Sequence, residues 1–210
     1  MAFLLLIISL ATGYILGSIN TGMLVAKLSG VDIKKKGSGN AGLTNAMRVM
    51  GPRAAVVVFI GDVGKSVLAC FLGHIITKGQ LGATTFLDTS MGNLGVMVAG
   101  TGCIIGHIFP IFFGFNGGKG VLTSITVIFL MDYRIAFILL CAFLIIVLIS
   151  RYVSLGSILS AACFPVVSLI FRKPPFFILY AFVIPIMVIV MHRKNIGRLI
   201  SGTESKLKVR

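Results

Sequence analysis

The run Gly37-Ser38-Gly39-Asn40-Ala41-Gly42-Leu43-Thr44-Asn45-Ala46-Met47-Arg48 sets glycines and small polar residues ahead of an arginine. Such a run can turn several backbone N–H groups toward one anion, and the arginine can clamp a phosphate through two parallel hydrogen bonds. A second cluster, residues 106–120, holds His107 and ends in Gly117-Gly118-Lys119-Gly120. Three glycines around a lysine make a poor helix and a plausible ligand loop, whereas Gly102, Gly106 and Gly114 read as close-packing positions. Arg151 with Ser154 and Ser157 forms a third cluster, and His192 with Asn195 a fourth. Each has a plainer reading as well: His107 as a helix-end hydrogen bonder, Arg151 as the anchor of a tight turn, His192 and Asn195 as an interfacial cap.

The elements that must position these residues are oily. The chain is 57% hydrophobic and 11% charged, too apolar for a soluble domain of 210 residues. Apolar stretches at 3–25, 54–76, 91–113, 134–150, 152–170 and 175–191 approach the roughly 20 residues that a bilayer-crossing helix needs. A seventh run, 121–131, is too short to cross unless the bilayer thins or protein covers it. Charge decides whether it counts. With a turn at Met131-Asp132-Tyr133-Arg134, the faces carry +12 and +2; merging the run into its neighbour gives +8 and +6. The sharper asymmetry predicts an all-α integral membrane protein of seven transmembrane helices, with the N-terminus outside and the C-terminus cytoplasmic. All four clusters then fall on the cytoplasmic face.

The net charge of +14 therefore reads as topology and attraction to anionic lipid. Nucleic-acid binding is not expected, since the basic residues flank membrane segments without a recognition motif. Met1-Ala2-Phe3-Leu4 lacks the charged start of a removable signal peptide and is expected to open the first helix. Cys70, Cys103, Cys141 and Cys163 stand singly in apolar runs and read as packing residues. One domain, residues 1–210, is expected, without repeats or linkers.

Several enzyme classes fail on spacing. Gly64-Lys65-Ser66 resembles the end of a P-loop, but Phe59 stands where its first glycine is required. A histidine followed five positions later by aspartate, as in acyl-CoA-dependent acyltransferases, is absent: Gly79, Phe112 and Gly197 follow His74, His107 and His192. Four aspartates in the chain are too few for the metal site of a CDP-alcohol phosphatidyltransferase, so no metal or other cofactor is expected. Asp62 and Lys65, one helical turn apart in an apolar segment, must neutralise each other, either as a structural pair or as one facing substrate.

In order and over nearly the whole length, 37–48, 106–123, 151–158 and 192–204 resemble the motifs of the bacterial acyl-phosphate:glycerol-3-phosphate acyltransferases. The resemblance implies a seven-helix enzyme of the bacterial cytoplasmic (inner) membrane. It implies acyl transfer from acyl phosphate to the 1-hydroxyl of glycerol 3-phosphate, giving lysophosphatidate and phosphate, with a soluble enzyme making the acyl phosphate as a partner. An acyl phosphate is already activated, so the site must mainly supply position and positive charge. The expected catalytic set is Ser38, Arg48, Lys119, His192 and Asn195. Substrate binding is expected from Gly37, Gly39, Asn40, Thr44, Asn45, His107, Gly117, Gly118, Gly120, Arg151 and Ser154, with Asp62, Lys65 and Glu204 in support. Either His192 or a substrate phosphate would take the hydroxyl proton, and Ser38 stands as an alternative nucleophile. Ser66, Lys194 and Asn116 depart from the family's usual glycine, acid and lysine. The rival class is a carrier for an anionic phosphate metabolite, which basic residues at a cytoplasmic mouth and an intramembrane ion pair would also suit.

Overall fold

A computed structural model describes residues 2–77 and 94–207, so Met1, residues 78–93 with Lys78 and Asp88, and the last three residues lie outside the described part. Among the described residues there is no strand. The helices are α1 (Ala2–Ser18), α2 (Thr21–Leu28), α3 (Leu43–Met50), α4 (Pro52–Thr77), α5 (Leu94–Ile108), α6 (Val121–Met131), α7 (Tyr133–Ser150), α8 (Val153–Ile170), α9 (Pro175–Met191) and α10 (Arg193–Ile200). They fall into two compact units, Met1–Met131 and Asp132–Arg210.

Five described segments are long and apolar enough to cross a membrane: Ala2–Leu28, Pro52–Thr77, Leu94–Phe113, Tyr133–Ser150 and Val153–Ile170. A sixth is counted if α9 and α10, bent by 61° at His192, are taken together. The short run at 121–131 is helical, but its 11 residues stop well short of a bilayer.

In the first unit α1, α4 and α5 pack together, and α6 lies against α4 and α5. The approach of α1 to α5 is set by glycine on both sides. A Cβ at Gly13 or Gly17 would overlap the carbonyls of Ala99 or Cys103, and one at Gly102 or Gly106 those of Leu10 or Tyr14. Glycines spaced four apart on both helices thus bring backbone against backbone, the small-residue packing that apolar helices use in lipid. Cys70, Val96, Ala99, Cys103, Ile104 and Val127 are fully buried on α4, α5 and α6 of this unit.

The first apolar stretch is not one helix. It breaks after Ser18, and Asn20 starts α2 by accepting the Met23 N–H on its side-chain oxygen at 3.0 Å. Hydropathy alone conceals this break, because Ile19, Met23, Leu24 and Val25 carry the apolar run across it. Ala26 on α2 then joins Ile33, Ala41, Ala46 and Val58 in a small buried cluster that seats the following glycine-rich segment on α2, α3 and α4.

In the second unit α7 packs on α8 and α8 on α9, around Phe164, Phe177 and Tyr180. Phe164 meets the other two rings edge-on, at centroid distances of 6.0 and 6.2 Å. At one end, Asp132 is fully buried. It accepts from the Arg134 guanidinium at 2.8 Å and pairs with the Lys173 ammonium at 2.8 Å, tying the start of α7 to the α8–α9 loop.

Candidate active site

The glycine-rich segment of the first unit is half loop and half helix. Gly37 and Gly39 take positive φ of 60° and 71°, and α3 begins at Leu43, so Thr44 and Asn45 lie in a helical first turn. Asn45 is buried and holds the loop's shape. Its oxygen accepts the Ser38 N–H at 2.8 Å, and its amide donates to the carbonyls of Ile33, Lys36 and Asn40. The Gly39 N–H donates to Lys36 O at 3.1 Å. Two of the amides that the sequence suggested for anion binding therefore serve the loop itself. The Ser38 side chain is half-buried and Arg48, in the last turn of α3, is exposed.

The second glycine segment folds back on the end of α5. Pro110 leads into a short 3-10 turn, Ile111–Phe113, which ends with Gly114 and Phe115 at positive φ. The chain then returns, so that Gly117 N–H donates to Ile108 O and Gly118 N–H to His107 O, both at 3.0 Å. Glycine is required here for lack of room: a Cβ on Gly117 would overlap His107 O, and one on Gly118 the His107 ring. Lys119 follows, half-buried, and Gly120 at φ 78° opens α6. The Lys34 ammonium donates to Gly117 O and so joins the two glycine segments. Lys34 was visible in the sequence only as one of a row of lysines.

Behind this loop lies the buried pair foreseen in the second segment. Asp62 and Lys65 meet at 2.8 Å, and the Lys65 ammonium also reaches Gly17 O, Ile19 O and His107 Nδ1 at 3.2, 2.9 and 3.1 Å. His107, proposed from sequence as a substrate binder, is buried with its ring in this network.

In the second unit Arg151 takes a left-handed conformation, φ 61°, where it ends α7; it is exposed, and its carbonyl accepts the Leu207 N–H at 2.7 Å. The tail so anchored brings Glu204 to Ser154, Asn195 and Arg198. Ser154 Oγ and Asn195 Nδ2 both donate to Glu204 Oε1 at 2.7 Å, and Arg198 Nε to Oε2 at 2.6 Å. Burial works against the Glu204 charge, but these three donors outweigh it and hold the carboxyl below its usual range. Asn195 and Ser154 thus have a structural partner that sequence spacing could not name. His192 is buried at the bend between α9 and α10, with its Nδ1 2.7 Å from Val188 O. A carbonyl only accepts, so Nδ1 carries the proton and Nε2 is the basic nitrogen.

Among the described residues no three His, Cys, Asp or Glu side chains gather closely enough to hold a metal ion. The chemistry on offer is cationic and hydrogen-bonding, suited to phosphate.

The family model for glycerol-3-phosphate acyltransferase matches residues 7–202. The chain belongs to that family. A glycerol-3-phosphate acyltransferase of Carboxydothermus hydrogenoformans is 39% identical over 98% of both chains, and one of Syntrophomonas wolfei 41% identical over 92% of this chain and 93% of the relative. Among solved structures, the fold is similar to the integral membrane glycerol 3-phosphate acyltransferase PlsY (YgiH). The glycerol 3-phosphate form of that protein has a TM-score of 0.83 and 34% identity, covering 99% of this chain and 96% of the other. Its lysophosphatidic acid form gives 0.81 and 33%, covering 97% and 95%. As a PlsY-family acyltransferase, the protein is an integral membrane enzyme of phospholipid biosynthesis. Its exposed apolar side chains on α1, α4, α7 and α8, Ile7, Ile60, Leu148 and Val166 among them, are those a bilayer covers.

Proposed function

We propose that the protein transfers a fatty acyl group from acyl phosphate to the 1-hydroxyl of glycerol 3-phosphate, releasing lysophosphatidate and phosphate. The observation that carries this reading is the cationic, glycine-framed set in the first unit: Ser38, Arg48 and Lys119 stand on or beside two tightly turned segments that Lys34 ties together. Such a set suits two phosphate-bearing substrates and a donor that needs no activation by a protein nucleophile.

In this mechanism Arg48 and Lys119 neutralise phosphate charge and the Ser38 hydroxyl hydrogen-bonds a phosphate oxygen. Gly37, Gly39, Asn40, Thr44, Gly117, Gly118 and Gly120 shape the cradle, and Asn45 holds it. Arg151, Ser154 and Asn195 serve glycerol 3-phosphate, with Glu204 fixing the latter two. The substrate hydroxyl oxygen attacks the acyl carbonyl carbon, the bond from that carbon to the phosphate oxygen breaks, and phosphate leaves. His192 Nε2 takes the hydroxyl proton, a role supported by the bond that commits Nδ1 to Val188. The leaving phosphate is the other acceptor consistent with this chemistry. Charge asymmetry supports seven crossings with the N-terminus outside and the site on the cytoplasmic face of the inner membrane, where a soluble acyl-phosphate-forming enzyme delivers the donor.

The test uses purified protein in detergent with palmitoyl phosphate and glycerol 3-phosphate, free of CoA and divalent metal. Formation of lysophosphatidate is expected, with palmitoyl-CoA inactive as donor. Turnover with palmitoyl-CoA alone would overturn the donor assignment, and uptake of glycerol 3-phosphate into vesicles without covalent change would favour a carrier.

A further inference from the structure

Breaking a helix inside a bilayer leaves carbonyls that water cannot reach. At the α1–α2 break two of them, Gly17 O and Ile19 O, are taken by the Lys65 ammonium, which brings positive charge to the carbonyl end of α1. Asp62 balances that charge at 2.8 Å, and the two side chains are almost wholly shielded. The arrangement extends to the second glycine segment through His107. Lys65 is a pure donor, so His107 Nδ1 accepts from it at 3.1 Å and the ring proton sits on Nε2, the edge that lies against Gly118. The His107 carbonyl accepts from Gly118 N–H and from Asn20 Nδ2, the same asparagine that caps α2. One buried histidine therefore fixes the glycine turn with its ring and with its carbonyl, and the ring is fixed by the ion pair of α4.

We propose that Asp62, Lys65 and His107 are positioning residues that hold the Gly117–Gly118 turn, and with it Lys119, in place for substrate phosphate while bracing the break in the first membrane segment. This rests on the reading of that turn as a phosphate cradle. Asp62 and Lys65 act through His107 and do not themselves face substrate.

The test separates binding from chemistry in detergent-purified variants checked for folding by gel filtration and thermal melting. His107→Leu is expected to raise the KM for glycerol 3-phosphate or for acyl phosphate on the order of tenfold, with a much smaller change in kcat. His107→Asn, whose oxygen replaces the Nδ1 acceptor, should recover most of the loss. Because Lys65→Met alone would strand a buried carboxylate, the pair is replaced together as Asp62→Asn with Lys65→Met. That double variant should match His107→Leu, and the triple variant should be no worse than the double. Wild-type KM values in folded His107→Leu, an asparagine no better than leucine, or fully additive losses in the triple variant would each overturn the proposal. Gly118→Ala serves as the control on the underlying reading. If it also leaves both KM values unchanged, the phosphate cradle itself is wrong. If it weakens binding while His107→Leu does not, only the positioning role fails.

Discussion

Lys119 and Asn45 mark two ways in which a residue can matter to a glycine-rich segment. In the proposed mechanism Lys119 places its charge on substrate phosphate, whereas Asn45 gives its whole amide to the backbone of its own segment. Lys119→Met is expected to lower kcat/KM by on the order of a hundredfold without moving the melting temperature, as judged by lysophosphatidate formation beside a thermal melt. Unchanged activity would remove Lys119 from the site. Glu204→Ala should act on stability as well, since it strips three donors of their shared acceptor. A loss of about 2 kcal/mol in stability is expected, seen as a lower melting temperature together with weaker use of glycerol 3-phosphate as Ser154 and Asn195 lose their anchor. Asp132 gives a pH test. Burial opposes its charge, but hydrogen bonds from Arg134 and Lys173 outweigh this and bring its pKa to about 2. A folded pKa below the unfolded value of about 3.9 means stability that is complete above pH 4 and lost as pH falls toward 2. Acid unfolding of Asp132→Asn should lack that component between pH 4 and 2; an acid transition identical to that of the natural protein would contradict it. The residue types at these places were legible in the sequence. Their partners were not, because the contact between Ser154 and Glu204 spans 50 positions and that between Lys65 and His107 spans 42, and no local pattern encodes such distances.

At the scale of elements, hydropathy located the apolar stretches and the short helix at 121–131, but it read the first stretch as continuous. The signal against continuity was Asn20 followed by Thr21, a cap pair that an apolar average hides. The half-helical character of the first glycine segment was hidden similarly, since Leu43 to Met50 is too short for its 3.6-residue pattern to stand out. Glycine usage shows what the helices need from one another. Gly106→Ala should destabilise by about 1–3 kcal/mol, because its Cβ meets the Tyr14 carbonyl, part of a backbone that cannot step aside. Gly64→Ala on α4, with nothing within 4 Å of the added carbon, should be neutral or stabilising by up to about 1 kcal/mol. Thermal melts of the two variants in the same detergent check the contrast, and equal effects would mean that the α1–α5 approach is looser than described.

For the whole molecule, four polar clusters on an oily chain were enough to reach the family, because membrane helices leave so few places for polar residues that those present carry most of the information. Charge bias favours seven crossings, whereas length supports five described spans, or six with the bent pair, since α6 is too short to be counted as a crossing on its own account. The membership and the cationic site lead to one chemical claim, that a pre-activated acyl group passes directly to glycerol 3-phosphate without resting on the protein. Rapid-quench measurement of phosphate released from palmitoyl phosphate, with and without glycerol 3-phosphate, tests that claim most directly. Direct transfer predicts no burst of phosphate when the acceptor is omitted, and one phosphate for each lysophosphatidate when it is present. A burst equal to the enzyme concentration without acceptor, with the acyl group retained on Ser38, would contradict it.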